Sequence, residues 1–450
     1  MIAQGAKDSR AVGVPGTPAG LQAMHQELGN LPWEALVKPA QQLAAEGFVL
    51  GSRQSKTIRW AQQRLSRDPR TKETWLPRGR VPLAGKTIKL PALARALAEL
   101  AGGARNHFYK GAVAEDLIES TQGAIRQIDL DSYQPYWRMP LRLDYLGNPI
   151  WTMPAPSAGG VALAQNLLIL QATQAQTKPS DSIERLQLIA EASRRAQVER
   201  RLFVLAPERL SNEDQKKARQ RWLSPLTWLE KHPIQPGQAT ASSSLSKDYQ
   251  ASLRELEHTT HLSVIDETGM AVSCTLTLSG SFGIGRQTQT FGIFLNNSVA
   301  SFSSVGTNVP AAGKRTTSSM APTIMGGYAI PFPLSEKKEK TKNTIFILGS
   351  PGGDTIPSTL TQLILHLVDG ESLERAVLAP RFHQAFVPDA IRTERFARLP
   401  KSQLHRLKSW GYHLGQSRAT IGDANIASRR DGQNFALADP REGGWAAKAE

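Results

Sequence analysis

The 450-residue sequence contains one cysteine, few aromatic residues and no long apolar run. Cys274 has no second cysteine to pair with, so no internal disulfide can form, and its place in an alternating apolar strand predicts a buried, unreactive thiol. No stretch approaches the roughly 18 apolar residues of a membrane-spanning helix, and the N-terminus lacks the apolar core of a secretory signal peptide. We therefore expect no membrane partner, and the localisation stays undetermined.

The chain carries an excess of positive charge, +15 at pH 7. An anionic partner such as nucleic acid would explain this charge. The basic residues are dispersed, however, and aromatic residues that could stack on bases make up only 6% of the chain. We therefore predict a solvated basic surface and no nucleic-acid partner, with nucleic-acid binding as a remote alternative. The basic pairs are Arg194-Arg195, Arg200-Arg201, Lys216-Lys217, Lys337-Lys338 and Arg429-Arg430.

The composition is that of a globular protein, with 40% hydrophobic and 21% charged residues, and the length predicts two domains or one large layered domain. Apolar spacing predicts helices in the first part, and the helix at about 181–204 has a heavily charged outer face. A segment rich in Pro, Gly, Gln and Ser, at about 233–258, is typical of a mobile linker. One predicted helix begins at residue 21, and the others cover 33–47, 90–101, 160–170, 181–204, 358–367 and 372–379. The predicted strands cover 262–265, 271–278, 292–295 and 343–348.

A β-hairpin is predicted after this linker, because a turn at 266–269 separates two alternating runs. A loop centred on Thr268 pairs residues whose numbers sum to 536. One face of the hairpin is then polar and the other apolar, whereas a shift of one residue would mix them. An ordinary half-buried hairpin explains the same pattern, and a bulge at Gly269 would shift the pairing by one residue. The polar pairs are Thr259–Thr277, His261–Thr275 and Ser263–Ser273, and the apolar pairs are Leu262–Cys274 and Val264–Val272.

Nine short motifs follow one another between about residue 11 and residue 441. They are residues 13–17 (GVPGT), 108–111 (FYKG), 156–160 (PSAGG), 259–266 (TTHLSVID), 291–297 (FGIFLNN), 314–323 (KRTTSSMAPT), 349–353 (GSPGG), 379–383 (APRFH) and 439–441 (DPR). In sequence and order they resemble the motifs of the gamma-glutamyltranspeptidase family, which are N-terminal-nucleophile hydrolases.

The resemblance implies an α+β fold, a four-layer αββα sandwich in which two central sheets lie between helical layers. It implies a mostly helical large-subunit region, 1–258, and a small-subunit region, 259–450, released from one precursor by cleavage between His258 and Thr259. The expected partners are these two subunits and a small-molecule amide or γ-glutamyl substrate. The implied chemistry needs no metal and no organic cofactor. Members of the family are often periplasmic or exported.

The resemblance also assigns roles at the site. Thr259 would supply the nucleophilic hydroxyl and, once it is the N-terminus, an α-amine as base; an unperturbed α-amine has a pKa of about 7.7–8.0. Thr277 would hold that amine or hydroxyl, and the backbone N–H groups of Gly352 and Gly353 would stabilise the oxyanion. Ser318 and Ser319 match the pair that binds the α-carboxylate of the substrate. A turn or a helix cap accounts equally well for these glycines and serines on local sequence alone.

Three positions depart from the glutamyl-specific pattern. Ser279, Ser298 and Ser301 stand where the family places an amide or a carboxylate that binds the α-ammonium of the substrate. A hydroxyl carries no charge, and a charge-assisted hydrogen bond is roughly twice as strong as a neutral one. We therefore expect non-glutamyl or relaxed acyl specificity, with true γ-glutamyl transfer as a close second.

Two further departures concern the start of the chain and the residue after the paired glycines. Met1 aligns inside the large subunit, so we expect the first N-terminal elements of the sandwich to be missing. This shortening supports an alternative, an inactive or truncated family member without catalysis. Asp354 follows Gly353 and would oppose a developing oxyanion if its carboxylate pointed toward it.

Overall fold

The computed structural model describes residues 8–204, 206–246, 259–303, 306–327, 344–394, 399–417 and 420–448. The fold is α+β, as predicted, and the chain forms two compact units. Unit 1 comprises Met1–Arg138 and Thr277–Ser301, and unit 2 comprises Met139–Leu276 and Phe302–Glu450. The predicted regions 1–258 and 259–450 are separated by a cleavage site and do not correspond to these compact units. The cleavage site before Thr259 stays a prediction.

Unit 1 is mainly helical, and its two short strands, β1 (Phe48–Val49) and β2 (Thr87–Ile88), pair antiparallel. Its helices are α1 (Thr17–Leu28), α2 (Trp33–Glu46), α3 (Ser52–Leu65), α4 (Pro69–Trp75), α5 (Pro91–Ala101), α6 (Ala112–Ser120) and α7 (Gln127–Asp131). The helices predicted at 33–47 and 90–101 are therefore confirmed as α2 and α5.

The 277–301 segment is held in unit 1 by aromatic packing and by one buried carboxylate. The rings of Phe282 and Phe294 lie 5.0 Å apart between centroids, and each lies 5.4 Å from the ring of Trp75. Asp116, which is buried, accepts hydrogen bonds from the backbone N–H groups of Thr290 and Phe291. A buried carboxylate that accepts backbone N–H bonds holds a loop without sheet pairing.

The strand predicted at 292–295 is wrong. Gly292 has a φ of +63°, a left-handed conformation that interrupts extended backbone. The chain around it is a compact turn, in which the Thr288 N–H donates to the Ile293 carbonyl over 2.8 Å. Only an isolated bridge between Gln287 and Phe294 resembles a strand pair here.

Unit 2 contains the main sheet and the longest helices. The strands in chain order are β3 (Leu141–Tyr145), β4 (Asn148–Thr152), β5 (Thr259–Ile265), β6 (Ala271–Thr277, whose last residue belongs to unit 1), β7 (Thr323–Gly327), β8 (Thr344–Gly349), β9 (Phe382–Ala385), β10 (Ala390–Thr393), β11 (Leu414–Gln416), β12 (Asn425–Arg430) and β13 (Gln433–Ala438). The helices are α8 (Ala158–Ala172), α9 (Ile183–Leu202), α10 (Asn212–Trp222), α11 (Leu226–Leu229), α12 (Ser242–Leu245), α13 (Ile356–Val368), α14 (Leu373–Leu378) and α15 (Lys401–Ser409).

Six strands form one sheet in the order β13-β12-β8-β7-β4-β3, in which every neighbouring pair is antiparallel. The strands β3 and β4 precede Thr259 in the chain, whereas the other four follow it. Strand β3 alternates buried Leu141, Leu143 and Tyr145 with exposed side chains, as expected for a strand with one face on the core. A large apolar core joins this sheet to α8, α9 and α13.

Most charged residues of α9 are buried, so the heavily charged outer face predicted for this helix is wrong. Glu191 is fully buried and pairs with Arg194 over 2.9 Å and with Arg195 over 2.7 Å. Glu199 pairs with Arg221 over 2.7 Å. Ion pairing of this kind is what allows charged side chains to leave water. Since Arg194 and Arg195 are buried, they contribute nothing to the solvated basic surface predicted from the charge.

Residues 233–246 of the predicted linker lie against α9 and its neighbours. Gln187 donates to the carbonyls of Gln235 and Gln238 over 3.0 Å each. The Thr240 N–H donates to Glu191, and the Ser242 N–H donates to Asp389 over 2.8 Å. The composition predicted a mobile segment, but Gln187 and Glu191 of α9, together with Asp389, hold the backbone of this part by hydrogen bonds. Residues 247–258 lie outside the described part of the chain.

Across the described ranges, no helix combines the length and the apolar character needed to cross a bilayer.

Candidate active site

The hairpin predicted at 259–278 is present, and its two strands are β5 (Thr259–Ile265) and β6 (Ala271–Thr277). His261 Nδ1 lies 2.8 Å from Thr275 Oγ1, which agrees with that pair of the predicted register. Thr277 ends β6, and its hydroxyl accepts a hydrogen bond from the Ser279 N–H over 2.9 Å. Thr277 belongs to unit 1, so its pairing with Thr259 stays a prediction. His258 lies outside the described residues.

The polar face of the hairpin lies against the six-stranded sheet. The Ser263 hydroxyl lies 3.1 Å from the Ile347 carbonyl and 2.9 Å from the Asn425 carbonyl, and it donates to these acceptors. Ser273 donates to the Leu348 carbonyl over 3.0 Å and accepts from the Thr323 N–H. Serine hydroxyls therefore join the hairpin to backbone carbonyl and N–H groups of the sheet. Apolar side chains at these positions could not form these hydrogen bonds.

The apolar face of the hairpin consequently points outward. Leu262 and Val264 are each 54% exposed. Cys274, on the same face, is only half-buried, so the prediction of a buried thiol is wrong. Partial burial still raises the pKa of this thiol. The alternation of polar and apolar residues predicted which side chains share a face of the hairpin, but it did not predict which face is buried.

His261 is the buried centre of the polar face. Because the single Ser263 proton goes to backbone carbonyls, Ser263 Oγ accepts from His261 Nε2 over 3.0 Å, and His261 Nδ1 then accepts from Thr275. Burial lowers the pKa of His261 to about 4, so its ring is neutral near pH 7. The ring lies directly on Gly349, where any Cβ atom would overlap it.

The contacts between β5 and β8 advance toward the paired glycines. Ser263 contacts Ile347, and two residues nearer the start of β5 His261 contacts Gly349. Strand β8 ends at Gly349, and the turn after it carries Gly352 and Gly353. That Thr259 lies beside this turn stays a prediction. These glycines have φ values of +132° and +55°. Non-glycine residues rarely adopt such angles, so the turn depends on glycine.

The Ser318-Ser319 turn is held by the N-terminus of α8. The Ser318 carbonyl accepts from the N–H groups of Ala158 and Gly159 over 2.7 and 3.1 Å, and these are N–H groups that a helix start leaves without helical partners. A Cβ at Gly159 would overlap the Ser319 carbonyl. The 156–160 motif therefore supports the 314–323 motif. The Ser318 hydroxyl accepts from the Met320 N–H, as in a turn, while Ser319 is buried.

Asp354 is balanced by two arginines that sequence reasoning did not single out. Asp354 lies 2.9 Å from Arg201 and 3.4 Å from Arg200, and Arg200 also donates to the Ser319 hydroxyl over 2.6 Å. The opposition to an oxyanion expected from Asp354 is therefore reduced by paired positive charge. The apolar periodicity of α9 did not predict these contacts of Arg200 and Arg201, because a charged stripe on a helix is usually exposed to solvent.

The three serines at the positions expected to bind an α-ammonium lie in unit 1. Ser279 Oγ and Ser301 Oγ are 3.2 Å apart, so the structure brings these two together. The Ser298 N–H donates to the Asn296 side chain over 3.0 Å. The neighbouring Asn297 side chain accepts from the Gly280 N–H over 2.7 Å. These serines offer hydroxyls at the predicted positions, and none of the three side chains carries a charge.

The motifs at 379–383 and 439–441 form a buried structural cluster. Arg381 pairs with Asp439 over 2.7 Å, and Arg441 pairs with Glu394 over 2.7 Å. Arg381 and Asp439 are almost completely buried. These two motifs therefore tie the C-terminal segment to the strand β9. Within the described ranges, no group of three or more histidine, cysteine or acidic side chains is arranged to hold a metal ion.

Comparison with known proteins adds three findings. The gamma-glutamyltranspeptidase family model matches residues 3–449. A glutathione hydrolase proenzyme from Escherichia coli is 30% identical over 96% of this chain and 74% of its own length, and one from Pseudomonas aeruginosa is 31% identical over 96% and 76%. The crystal structure of a cephalosporin acylase from Bacillus halodurans matches with a TM-score of 0.77 at 23% identity, over 98% of this chain and 78% of that one.

Proposed function

Because the chain belongs to the gamma-glutamyltranspeptidase family, we propose that it is an amide hydrolase whose precursor cleaves itself between His258 and Thr259. One observation carries the proposal. Two contacts of β5, Ser263 with Ile347 and His261 with Gly349, run toward the end of β8, which the turn of Gly352 and Gly353 follows. A nucleophile at the start of an anchored strand keeps its position after the chain is cut, since the hydrogen bonds of Ser263 and His261 do not depend on the preceding residues.

Self-cleavage requires only groups of the chain and water. The Thr259 hydroxyl attacks the His258 carbonyl carbon, and the peptide C–N bond breaks as the nitrogen takes a proton, which leaves an ester. Water then hydrolyses this ester, so that His258 ends in a carboxylate and Thr259 regains its hydroxyl. The new α-amine of Thr259 would act as the general base, and an unperturbed α-amine has a pKa of about 7.7–8.0, which suits that role.

Turnover would reuse the same groups. The α-amine takes the proton of the Thr259 hydroxyl as its oxygen attacks the substrate amide carbonyl. The N–H groups of Gly352 and Gly353 would stabilise the resulting oxyanion, and such a donor contributes roughly 3–4 kcal/mol to lowering the barrier. The protonated amine then gives its proton to the leaving nitrogen, and an acyl-Thr259 ester remains. Water completes hydrolysis, or a second amine completes acyl transfer.

The similar proteins of known activity suggest which acyl groups to test first. They are glutathione hydrolase proenzymes, so γ-glutamyl amides such as glutathione are the first candidate substrates. The serines at 279, 298 and 301 offer no charge for an α-ammonium. We therefore propose relaxed acyl specificity, in which a γ-glutamyl group and the same chain without its amino group are both accepted.

Two alternatives belong to other classes. An inactive family member would retain the hairpin but would neither cut itself nor turn over a substrate. A nucleic-acid-binding role would depend on the positive charge, but Arg194, Arg195 and Arg200 are buried and lie in hydrogen-bonded ion pairs. Steep loss of DNA binding with added salt would be needed to support that role.

The experiment is intact-mass analysis and N-terminal sequencing of the purified chain after incubation. We expect two chains, the smaller beginning Thr-Thr-His-Leu, and hydrolysis of γ-glutamyl-p-nitroanilide. Thr259→Ala should abolish both because the only proposed nucleophile is lost. Thr260→Ala is the matched control, since Thr260 is the exposed neighbour on the opposite face of β5, and it should retain both. A single uncut wild-type chain would favour the inactive member, and cutting at another bond would remove Thr259 as the nucleophile.

A further inference from the structure

We propose that Arg200 is a positioning residue that connects acyl-group binding to the oxyanion turn. The proposal rests on the function proposed above. From one guanidinium, Arg200 donates to the Ser319 hydroxyl over 2.6 Å and lies 3.4 Å from Asp354, the residue that follows the paired glycines. A single side chain therefore contacts both segments expected to touch the substrate, although its helix α9 is more than 100 residues away from them in the sequence.

Arg200 is itself held rigidly. It is 2% exposed and also donates to Gln197, one turn earlier on α9, over 3.2 Å. Its neighbour Arg201 contacts the other Asp354 oxygen over 2.9 Å. A buried guanidinium with several fixed acceptors cannot move without leaving a charge unsatisfied, and this cost makes it a stable reference point.

The loop that carries Ser319 is anchored at the same end of α9. The Thr307 hydroxyl donates to the Val204 carbonyl over 2.7 Å, just after α9 ends. The Asn308 side chain accepts from the Thr317 N–H over 3.1 Å, and this hydrogen bond links the two ends of the loop. The other side of the loop is fixed by α8 through Ser318. The Arg200–Ser319 bond therefore joins two segments that are already constrained, and small errors in its geometry would be transmitted to both.

The chemistry of the Ser319 hydroxyl gives this bond a specific effect. Because Arg200 donates to its oxygen, the hydroxyl serves as an acceptor there and directs its own proton elsewhere. A hydroxyl that accepts from a cation is also polarised into a stronger donor. We infer that Ser319 presents this strengthened donor to a carboxylate of the acyl group, and that Asp354 fixes the turn of Gly352 and Gly353 at the matching distance.

The test compares Arg200→Lys with Arg201→Lys. Lysine retains the charge but not the planar set of donors, so Arg200→Lys should weaken the Ser319 contact, whereas Arg201→Lys leaves it intact. For glutaryl-p-nitroanilide, whose acyl chain carries a carboxylate, Arg200→Lys should raise KM about tenfold, the loss expected for one charge-assisted hydrogen bond. For butyryl-p-nitroanilide, which has no carboxylate, KM should change by less than about twofold. A merely structural role would weaken both substrates alike and would overturn the proposal.

Ser319→Ala and the double variant Arg200→Lys/Ser319→Ala complete a cycle. If Arg200 acts through Ser319, the double variant should be no worse than the poorer single one, whereas additive losses would overturn the proposal. Ser319→Ala also serves if Arg200→Lys does not fold, since it must then reproduce the glutaryl-selective rise in KM by itself.

Calorimetric titration with glutarate separates failure of this proposal from failure of the proposed function. Saturable binding to the wild type that Ser319→Ala or Arg200→Lys abolishes, and Arg201→Lys retains, supports the Arg200 role even in a chain that proves inactive. Binding that ignores all three substitutions overturns it, as does the absence of glutarate binding in the wild type.

Discussion

Gly349 is the residue on which the approach of the hairpin to the sheet depends. Its φ is ordinary, so its importance comes from the space that a side chain would take, and that space is filled by the His261 ring. The Ser157–Gly160 region shows the same requirement, because a Cβ at Gly159 would overlap the Ser319 carbonyl. At both places the absence of a side chain allows two predicted site segments to meet.

Gly349→Ala should therefore destabilise the protein. The added methyl overlaps the buried His261 ring, and overpacking of this kind costs about 1–3 kcal/mol in the free energy of unfolding. Urea unfolding followed by circular dichroism measures the effect. Gly415→Ala is the matched control: Gly415 also lies in a strand, β11, and a Cβ there meets no atom within 4 Å. It should change the free energy by less than about 0.5 kcal/mol. Equal losses in the two variants would contradict this account.

At the scale of elements, α9 departs furthest from its sequence pattern. Its length and position follow from apolar spacing and from Ser182, whose side chain accepts from the Arg185 N–H as an N-cap. Its surroundings do not, because the burial of Glu191 depends on partners such as Tyr412 that are distant in the sequence. The groups that cover the charged residues of α9 come from distant parts of the chain, so the local periodicity of the helix cannot predict them.

Glu191→Gln should be strongly destabilising for this reason. Removal of one charge leaves Arg194 and Arg195 buried with a weaker partner, and breaking a buried pair costs about 3–5 kcal/mol. The comparison variant is Glu213→Gln on α10, where Glu213 pairs with Lys217 over 2.6 Å and both side chains are mostly exposed. An exposed pair of this type contributes about 0.5 kcal/mol or less. Both free energies of unfolding come from denaturant titration, and similar losses would count against a structural role for the α9 ion pairs.

The hairpin shows how much of the site the sequence could predict. The alternation of residues 259–277 fixed the register, and the hydrogen bond between His261 and Thr275 agrees with it. The family motifs indicated the glycine and serine turns. Arg200 was not predicted as a site residue, because its contacts with Ser319 and Asp354 join segments more than 100 residues apart. The burial of the polar hairpin face also escaped prediction, since its acceptors are carbonyls of β8 and β12.

At the scale of the whole molecule, two buried histidines limit stability in acid. Burial lowers the pKa of His261 and of His383 to about 4, and both are hydrogen-bonded to hydroxyl groups, His383 to Ser358 over 2.8 Å. In the unfolded chain their pKa is about 6.5. The unfolded state therefore binds protons first as the pH falls. Their contribution to stability is complete above about pH 6.5 and is lost toward pH 4, by about 3 kcal/mol for each histidine.

This predicts a steep decline in the free energy of unfolding between pH 6.5 and pH 4. His383→Gln should reduce the slope of that decline by about one proton, because one group no longer titrates differently in the two states. His405→Gln, at an exposed position on α15, is the control for the substitution itself. Denaturant titrations at half-unit pH intervals give the slope. If His383→Gln retained the wild-type slope, this histidine would not be a source of the acid sensitivity.

The six-stranded sheet has a consequence for the order of the folding reaction. Strands β3 and β4 come before Thr259, yet β4 pairs with β7, which comes after it. In the uncut chain these strands meet by closing a loop, so folding is unimolecular and its equilibrium is independent of protein concentration. After a cut before Thr259, the same pairing joins two separate polypeptides. Refolding becomes second order, and the cut protein resists denaturation better the more concentrated it is.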